Sequence, residues 1–165
     1  MSEVHGAAYE VPPGSWTIAP GVVRPQSRGK IRLTGPGAVD PVTIDGGFLR
    51  EEADMVALIR CIELCREIGN SAPMAEFVRR EVMPGPLAGA ELRDFARNAA
   101  GTYFHESCTC KMGRDEMSVV DGALSVHGIE GLSIADASVM PRVSTGNTMA
   151  PTVIIGERMA DILIG

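Results

Sequence analysis

The stretch GNTMAPTVIIGERMADIL, residues 146–163, decides how the end of this chain folds. Gly146 and Asn147 are turn residues, Pro151 suits the first turn of a helix, and Ile155, Met159 and Ile162 then recur at helical spacing. A loop running into a helix N-terminus is the predicted geometry. Such a terminus offers unpaired N–H groups and a partial positive charge, so it stabilises a bound group that gains negative charge during a reaction.

Immediately upstream, LSVHGIEGLSIAD, residues 124–136, reads as two short apolar strands around Gly128-Ile129-Glu130-Gly131, the second leading into Asp136, Ala137 and Ser138. Further back the period is helical. Leu58, Cys61, Cys65 and Ile68 fall on one stripe of a helix that starts near residue 51 and ends at Gly69-Asn70. A second helical stretch is expected over residues 74–82, stopped by Met83-Pro84-Gly85-Pro86, and a third over 89–98. Before them, Ile31 and Leu33 alternate with Lys30 and Arg32 as in a half-exposed strand. The turn Gly35-Pro36-Gly37 follows, then a short strand over residues 42–44 that can pair with the first, then Asp45-Gly46-Gly47. The helices are expected to pack on this sheet. Residues 1–20, with Pro12, Pro13, Gly14 and Pro20, read as an irregular or edge-strand lead-in. The fold class is α/β.

The 165 residues suffice for one domain burying roughly 70% of its unfolded surface. Fifteen Lys and Arg against twenty-one Asp and Glu give a net charge of −6, and no basic block is present, which argues against nucleic-acid binding. The longest apolar run, near residues 152–155, is far short of the ~20 residues of a membrane span, and the N-terminus lacks the order of a secretory signal, so a soluble, cytoplasmic chain is expected. Four cysteines are too few for a disulfide scaffold. Cys61 and Cys65 match a packing stripe, and Cys108-x-Cys110 with His105 lacks a fourth ligand at zinc spacing, so no metal is expected. Taken alone, His105 reads as a structural histidine, as do His5 and His127. Asp136 can cap the loop after its strand, and Asn147 can cap the last helix.

Several segments together change that reading: RPQSRGKIRL (24–33), HESCTCKMG (105–113), Val120-Asp121, LSVHG (124–128), GLSIADASVMP (131–141) and GNTMAPT (146–152). In this order and spacing the chain resembles the C-terminal region of the glucose–methanol–choline (GMC) family of flavin oxidoreductases, over roughly residues 20–165. The resemblance implies oxidation of a small-molecule alcohol by hydride transfer to FAD, with His105 as the general base and Asn147 hydrogen-bonding the substrate oxygen. Imidazole titrates near neutrality and can take up and return a proton, while an amide donates to a developing alkoxide without competing for it. By the same resemblance Asp136 and Ala137 lie against the ribityl or pyrophosphate portion of FAD, and Asn147 and Thr148 face the flavin pyrimidine edge.

The resemblance also implies a division into a lead-in (1–20), a substrate-binding portion with the His segment (21–123), and a piece of a Rossmann-like FAD domain (124–165). Two departures stand out. Glu106-Ser107-Cys108 replaces the Pro-x-Gly that most members carry after the histidine. The Gly-x-Gly-x-x-Gly fingerprint is absent, since Gly35-Pro36-Gly37 continues without a third glycine, so the FAD-binding half is expected from elsewhere. Two alternatives stay open: a flavin-containing lyase on the same scaffold, and an inactive fragment that self-associates through an uncovered apolar face.

Overall fold

The computed structural model describes residues 12–165 and, of the first eleven, only the backbone of an antiparallel strand pair, β1 (Ser2–Val4) and β2 (Ala7–Tyr9). His5 lies outside the described residues. Residues 12–20 form no regular element, as expected. The chain divides into two compact units, Met1–Tyr103 and Phe104–Gly165. That boundary precedes the division after residue 123 drawn from the resemblance, which concerned membership of parent domains rather than compactness.

In the first unit, β3 (Lys30–Leu33) and β4 (Val42–Asp45) form the expected antiparallel hairpin, with Ile31 opposite Ile44 and Leu33 opposite Val42. Gly47 sits at φ 63°, and a Cβ there would collide with the Arg28 carbonyl, so the backbone can double back only through glycine. Contrary to expectation, the hairpin is no half-buried sheet under helices: Ile31, Leu33, Val42 and Ile44 are all exposed. The buried core lies instead between α1 (Glu52–Gly69) and α2 (Gly89–Ala99), where Met55 and Ile62 meet Leu92 and Ala96, with Leu49, Leu58, Ile59 and Leu87 around them.

The core stripe of α1 is therefore Met55, Leu58, Ile59 and Ile62, at i, i+3, i+4 and i+7. Of the expected stripe only Leu58 belongs to it; Cys61 and Cys65 flank it half-buried and Ile68 is exposed. All four cysteines are free thiols, and burial, with Cys61 as a lesser cause, pushes the Cys65 thiol up.

The start of α1 is tied to residues 26 and 27. Glu51 occupies the cap position without a side-chain cap, and its N–H donates to the Ser27 hydroxyl at 3.0 Å. In return the Asp54 carboxylate, only 4% exposed, accepts the N–H groups of Gln26 and Ser27, both at 2.8 Å. Burial pushes the Asp54 carboxyl up. The hydrogen bonds from Gln26 and Ser27 and the charge of Arg28 overturn that and hold it below the ordinary carboxylate value.

Residues 74–82 do not form the expected helix. Only a short 3-10 turn (Ala72–Met74) is present, and Arg66 of α1 holds the end of the segment and the residues beyond it. Its guanidinium pairs with both oxygens of Glu81 at 3.0 and 3.1 Å and donates to the carbonyls of Gly85 and Leu87 at 2.7 and 3.0 Å.

The second unit has one α-helix, α3 (Met149–Ile164). Its Met159 packs with Val120, Leu124 and Val139, flanked by Ile155, Met112, Val126 and Ile134. Ile162, expected on the same stripe, is 37% exposed at the margin. The two strands expected in residues 124–136 are reduced to isolated bridges, Val120 with Val126 and Ser125 with Ser133. The tight turns at Gly128 and Gly131 (φ 77° and 72°) leave no room for a longer ladder. Helices and small antiparallel pairs thus share the chain, in keeping with the α/β class. Among the described residues no helix is long and apolar enough to cross a membrane.

Candidate active site

The segment carrying His105 is held from behind by a single turn. Asp136 extends into the cap of the 3-10 turn Ala137–Val139, its carboxylate accepting the Ser138 N–H at 2.7 Å. The three carbonyls of that turn then accept alternate N–H groups of the His segment: Ala137 from Cys108 at 3.2 Å, Ser138 from Cys110 at 2.9 Å and Val139 from Met112 at 2.8 Å. Asp136 thus does what the cap reading expected of it. It stays exposed, and the turn it caps fixes the backbone beside His105.

That backbone is itself unusual. Phe104 and Cys108 bracket the histidine in the left-handed region, at φ 59° and 71°. Cys108 stands where the resemblance places glycine, and it keeps the left-handed turn at a cost of about 1–2 kcal/mol for a side chain that favours other conformations. The departure from Pro-x-Gly changes the residue and preserves the backbone that glycine would supply.

His105 is half-buried, and its Nδ1 lies 3.3 Å from the hydroxyl of Thr148, 43 positions downstream. Thr148 occupies the cap position of α3, is 8% exposed, and makes no side-chain cap bond. The local sequence contributes: of the two N–H groups a cap hydroxyl usually accepts, at the second and third helical residues, Pro151 removes the latter, leaving only that of Ala150. The Thr148 carbonyl is engaged by Thr152, whose N–H and hydroxyl donate to it at 3.0 and 2.6 Å. The backbone of Thr148 is pinned while its hydroxyl faces the imidazole.

Asn147 stands one residue before the cap, so it does not cap the helix. It is exposed, and the turn before it is tied by the Ser144 hydroxyl, which donates to the Gly146 carbonyl at 2.6 Å. Met149, the first residue of α3, is 77% exposed, so the uncapped end of the helix opens outward. Four of the five expected residues, His105, Asn147, Thr148 and Ala137, therefore sit on this turn-and-helix frame, and Asp136 braces it. The pairing of Thr148 with His105 was not foreseen; the proline two positions after Met149 was its signal.

The uncapped end of α3, with exposed N–H groups and a positive partial charge, suits the electron-rich edge of a flavin. The loop at Gly35-Pro36-Gly37 does not suit a pyrophosphate. The Gly37 N–H donates to the Asp40 carboxylate at 2.7 Å, and a Cβ on Gly35 would collide with that carboxylate, so an anion already fills the turn. His127 Nε2 faces the Gly113 carbonyl at 3.1 Å, a structural contact as expected.

Comparison with known proteins gives a consistent picture. Residues 25–156 match the family model described as GMC oxidoreductase. Oxygen-dependent choline dehydrogenase from Klebsiella pneumoniae subsp. pneumoniae is 44% identical over 147 residues, which is 88% of this chain and 26% of that protein. Oxygen-dependent choline dehydrogenase 1 from Chromohalobacter salexigens is 43% identical over 149 residues, again 88% of this chain and 27% of the relative. Among solved structures, pyridoxine 4-oxidase from Mesorbium loti superposes with a TM-score of 0.80 at 35% identity, covering 84% of this chain and 28% of that one. A fungal aryl-alcohol oxidase superposes at 0.76 and 26% identity, covering 86% and 24%. The chain spans about a quarter of the length of the curated relatives it matches.

Proposed function

This chain belongs to the GMC oxidoreductase family, and from that premise we propose that it carries the base and the substrate-orienting amide of an FAD-dependent alcohol oxidation. The observation that carries the reading is the frame just described: His105 tethered at the uncapped start of α3, with Asn147 exposed one residue before that start.

Oxidising an alcohol to a carbonyl removes a proton from oxygen and a hydride from carbon. FAD, when bound, supplies the hydride acceptor. His105 takes the hydroxyl proton on the ring nitrogen that Thr148 does not engage, and its semi-buried position keeps that nitrogen reachable. The Asn147 amide donates to the alkoxide oxygen as charge develops there, which lowers the barrier without competing for the proton. The exposed first turn of α3, with Asn147 and Thr148 at its lip, would hold the flavin pyrimidine edge and offset negative charge on the reduced ring. Ala137 and the exposed carboxylate of Asp136 would line the ribityl or pyrophosphate portion.

The pyrophosphate cradle itself is supplied from outside these 165 residues, because the glycine turn that comes nearest to the fingerprint is closed by Asp40. Exposed Ile31, Leu33, Ile44 and Phe48 on one unit, and Ile154 and Leu163 on the other, support surfaces that a further portion or a second copy covers.

The test uses the enzyme assembled with its FAD-binding portion. Anaerobic alcohol should bleach the flavin band, and His105→Ala should slow that bleaching by at least ~100-fold with FAD still bound, since removal of a general base costs ~10²–10⁴. Unchanged bleaching in the variant would remove His105 from the role of base. Turnover without bleaching would instead favour a lyase.

A further inference from the structure

We propose that Thr148 is a positioning residue that sets the tautomer of His105: its hydroxyl accepts the Nδ1–H, leaving Nε2 bare as the basic nitrogen. This rests on the reading of His105 as the base. Three observations converge on it. Thr148 Oγ1 is the one side-chain partner of the His105 ring among the described residues, 3.3 Å from Nδ1. The hydroxyl makes no capping bond, and Pro151 at the third helical position removes one of the two N–H groups it could have capped. The group cannot drift, since Thr148 is buried and its carbonyl is held by both the N–H and the hydroxyl of Thr152.

The direction of the hydrogen bond follows from what a base must do. A neutral imidazole carries one proton, and whichever nitrogen donates leaves the other free to accept. If Thr148 donated to Nδ1, the proton would reside on Nε2, the only nitrogen left for substrate, and no lone pair would remain there. With Thr148 accepting from Nδ1, Nε2 is free. The same hydrogen bond then persists when Nε2 takes up the substrate proton, because Nδ1–H is a donor in both the neutral and the protonated ring. A hydroxyl also differs from a carboxylate in this place. It fixes the ring without adding a negative charge next to an alkoxide and a reduced flavin.

The readout that a merely structural role would not move is the position of the proton. In the full chain labelled with 15N-histidine, with His105→Gln used to assign the ring signals, neutral His105 should carry its proton on Nδ1 in the wild type. Thr148→Ser, which keeps the hydroxyl, should match it. Thr148→Val, which keeps the shape and removes the acceptor, should move the proton predominantly to Nε2. In the FAD-loaded enzyme Thr148→Val should slow flavin reduction by ~10–100-fold, the usual cost of losing an outer hydrogen-bond partner, and Thr148→Ser should restore it. A proton on Nε2 in the wild type, or no change in Thr148→Val, overturns the proposal. Loss of flavin reduction in His105→Ala together with an Nε2–H wild-type ring would retain His105 as base and reject Thr148 alone.

Discussion

The two longest helices begin in opposite ways, and the contrast separates stability from chemistry. At the start of α1 the nearby polar groups bind the preceding loop: the Ser27 hydroxyl takes the Glu51 N–H, and Asp54 takes the N–H groups of Gln26 and Ser27. At the start of α3 the cap residue is present, yet its hydroxyl leaves the helix for His105 and the first turn stays open. Both ends have the same unpaired donors and the same partial positive charge. The first surrounds its end with groups that tie residues 26 and 27 to the helix, and the second turns its cap hydroxyl to His105 and leaves its first turn open.

The largest expected effect that probes this contrast comes from Asn147→Asp. A carboxylate one residue before the cap of α3 favours the helix end, so the melting temperature should hold or rise slightly. The same charge replaces a donor by an acceptor beside a developing oxyanion, so anaerobic flavin reduction should fall by ~10²–10³. A stable variant that reduces flavin at a near-normal rate would leave Asn147 without a part in the chemistry.

Next in size is Asp54→Ala, which strands two backbone N–H groups at the start of α1. An unsatisfied buried donor costs about 1–3 kcal/mol and these two are part-buried, so stability to denaturant should fall by a total of ~1–3 kcal/mol. The pH dependence has a definite sign. Asp54 titrates below its ordinary value of 3.8 in the fold, so its stabilisation is complete above that value and is lost as pH falls through the lowered one. Asp45, held low chiefly by its hydrogen bond with Arg50, and Asp115, held low chiefly by Lys111, act in the same direction. Acid titration of stability should therefore be shallower in Asp54→Ala than in the wild type, and identical slopes would remove Asp54 as a contributor.

The smallest effect is expected at Cys108→Gly. Relief of a left-handed φ at a residue with a side chain stabilises by about 1 kcal/mol, offset in part by lost packing of the half-buried thiol. A melting temperature well below wild type would mean that the thiol, and not the backbone, holds the turn beside His105.

How much of this was legible in the sequence depends on the range of the interaction. The β3–β4 hairpin and the helices α1, α2 and α3 follow from local period and turn chemistry, and they lie close to where the sequence puts them. The buried face of α1 was not legible, because residues 55–68 carry two overlapping stripes and only Leu92 and Ala96 of α2 decide between them. Residues 74–82 have helical composition, yet the chain there is bound to α1 by the Arg66–Glu81 ion pair across 15 positions, a contact that composition does not record. At the site, the motif order led to His105, Asn147 and Thr148 as separate expectations. Their arrangement depends on a contact spanning 43 positions and on Pro151 withholding one N–H, neither of which periodicity records.

The most direct test of the contrast is a crossed measurement of unfolding and anaerobic flavin reduction on FAD-loaded Asp54→Ala and His105→Ala. The structure predicts that Asp54→Ala loses ~1–3 kcal/mol of stability while the folded enzyme reduces flavin at a near-normal rate. His105→Ala should keep its melting temperature within a few degrees while reduction falls at least ~100-fold. Stability and rate falling together in both variants would contradict the separation of the two helix starts.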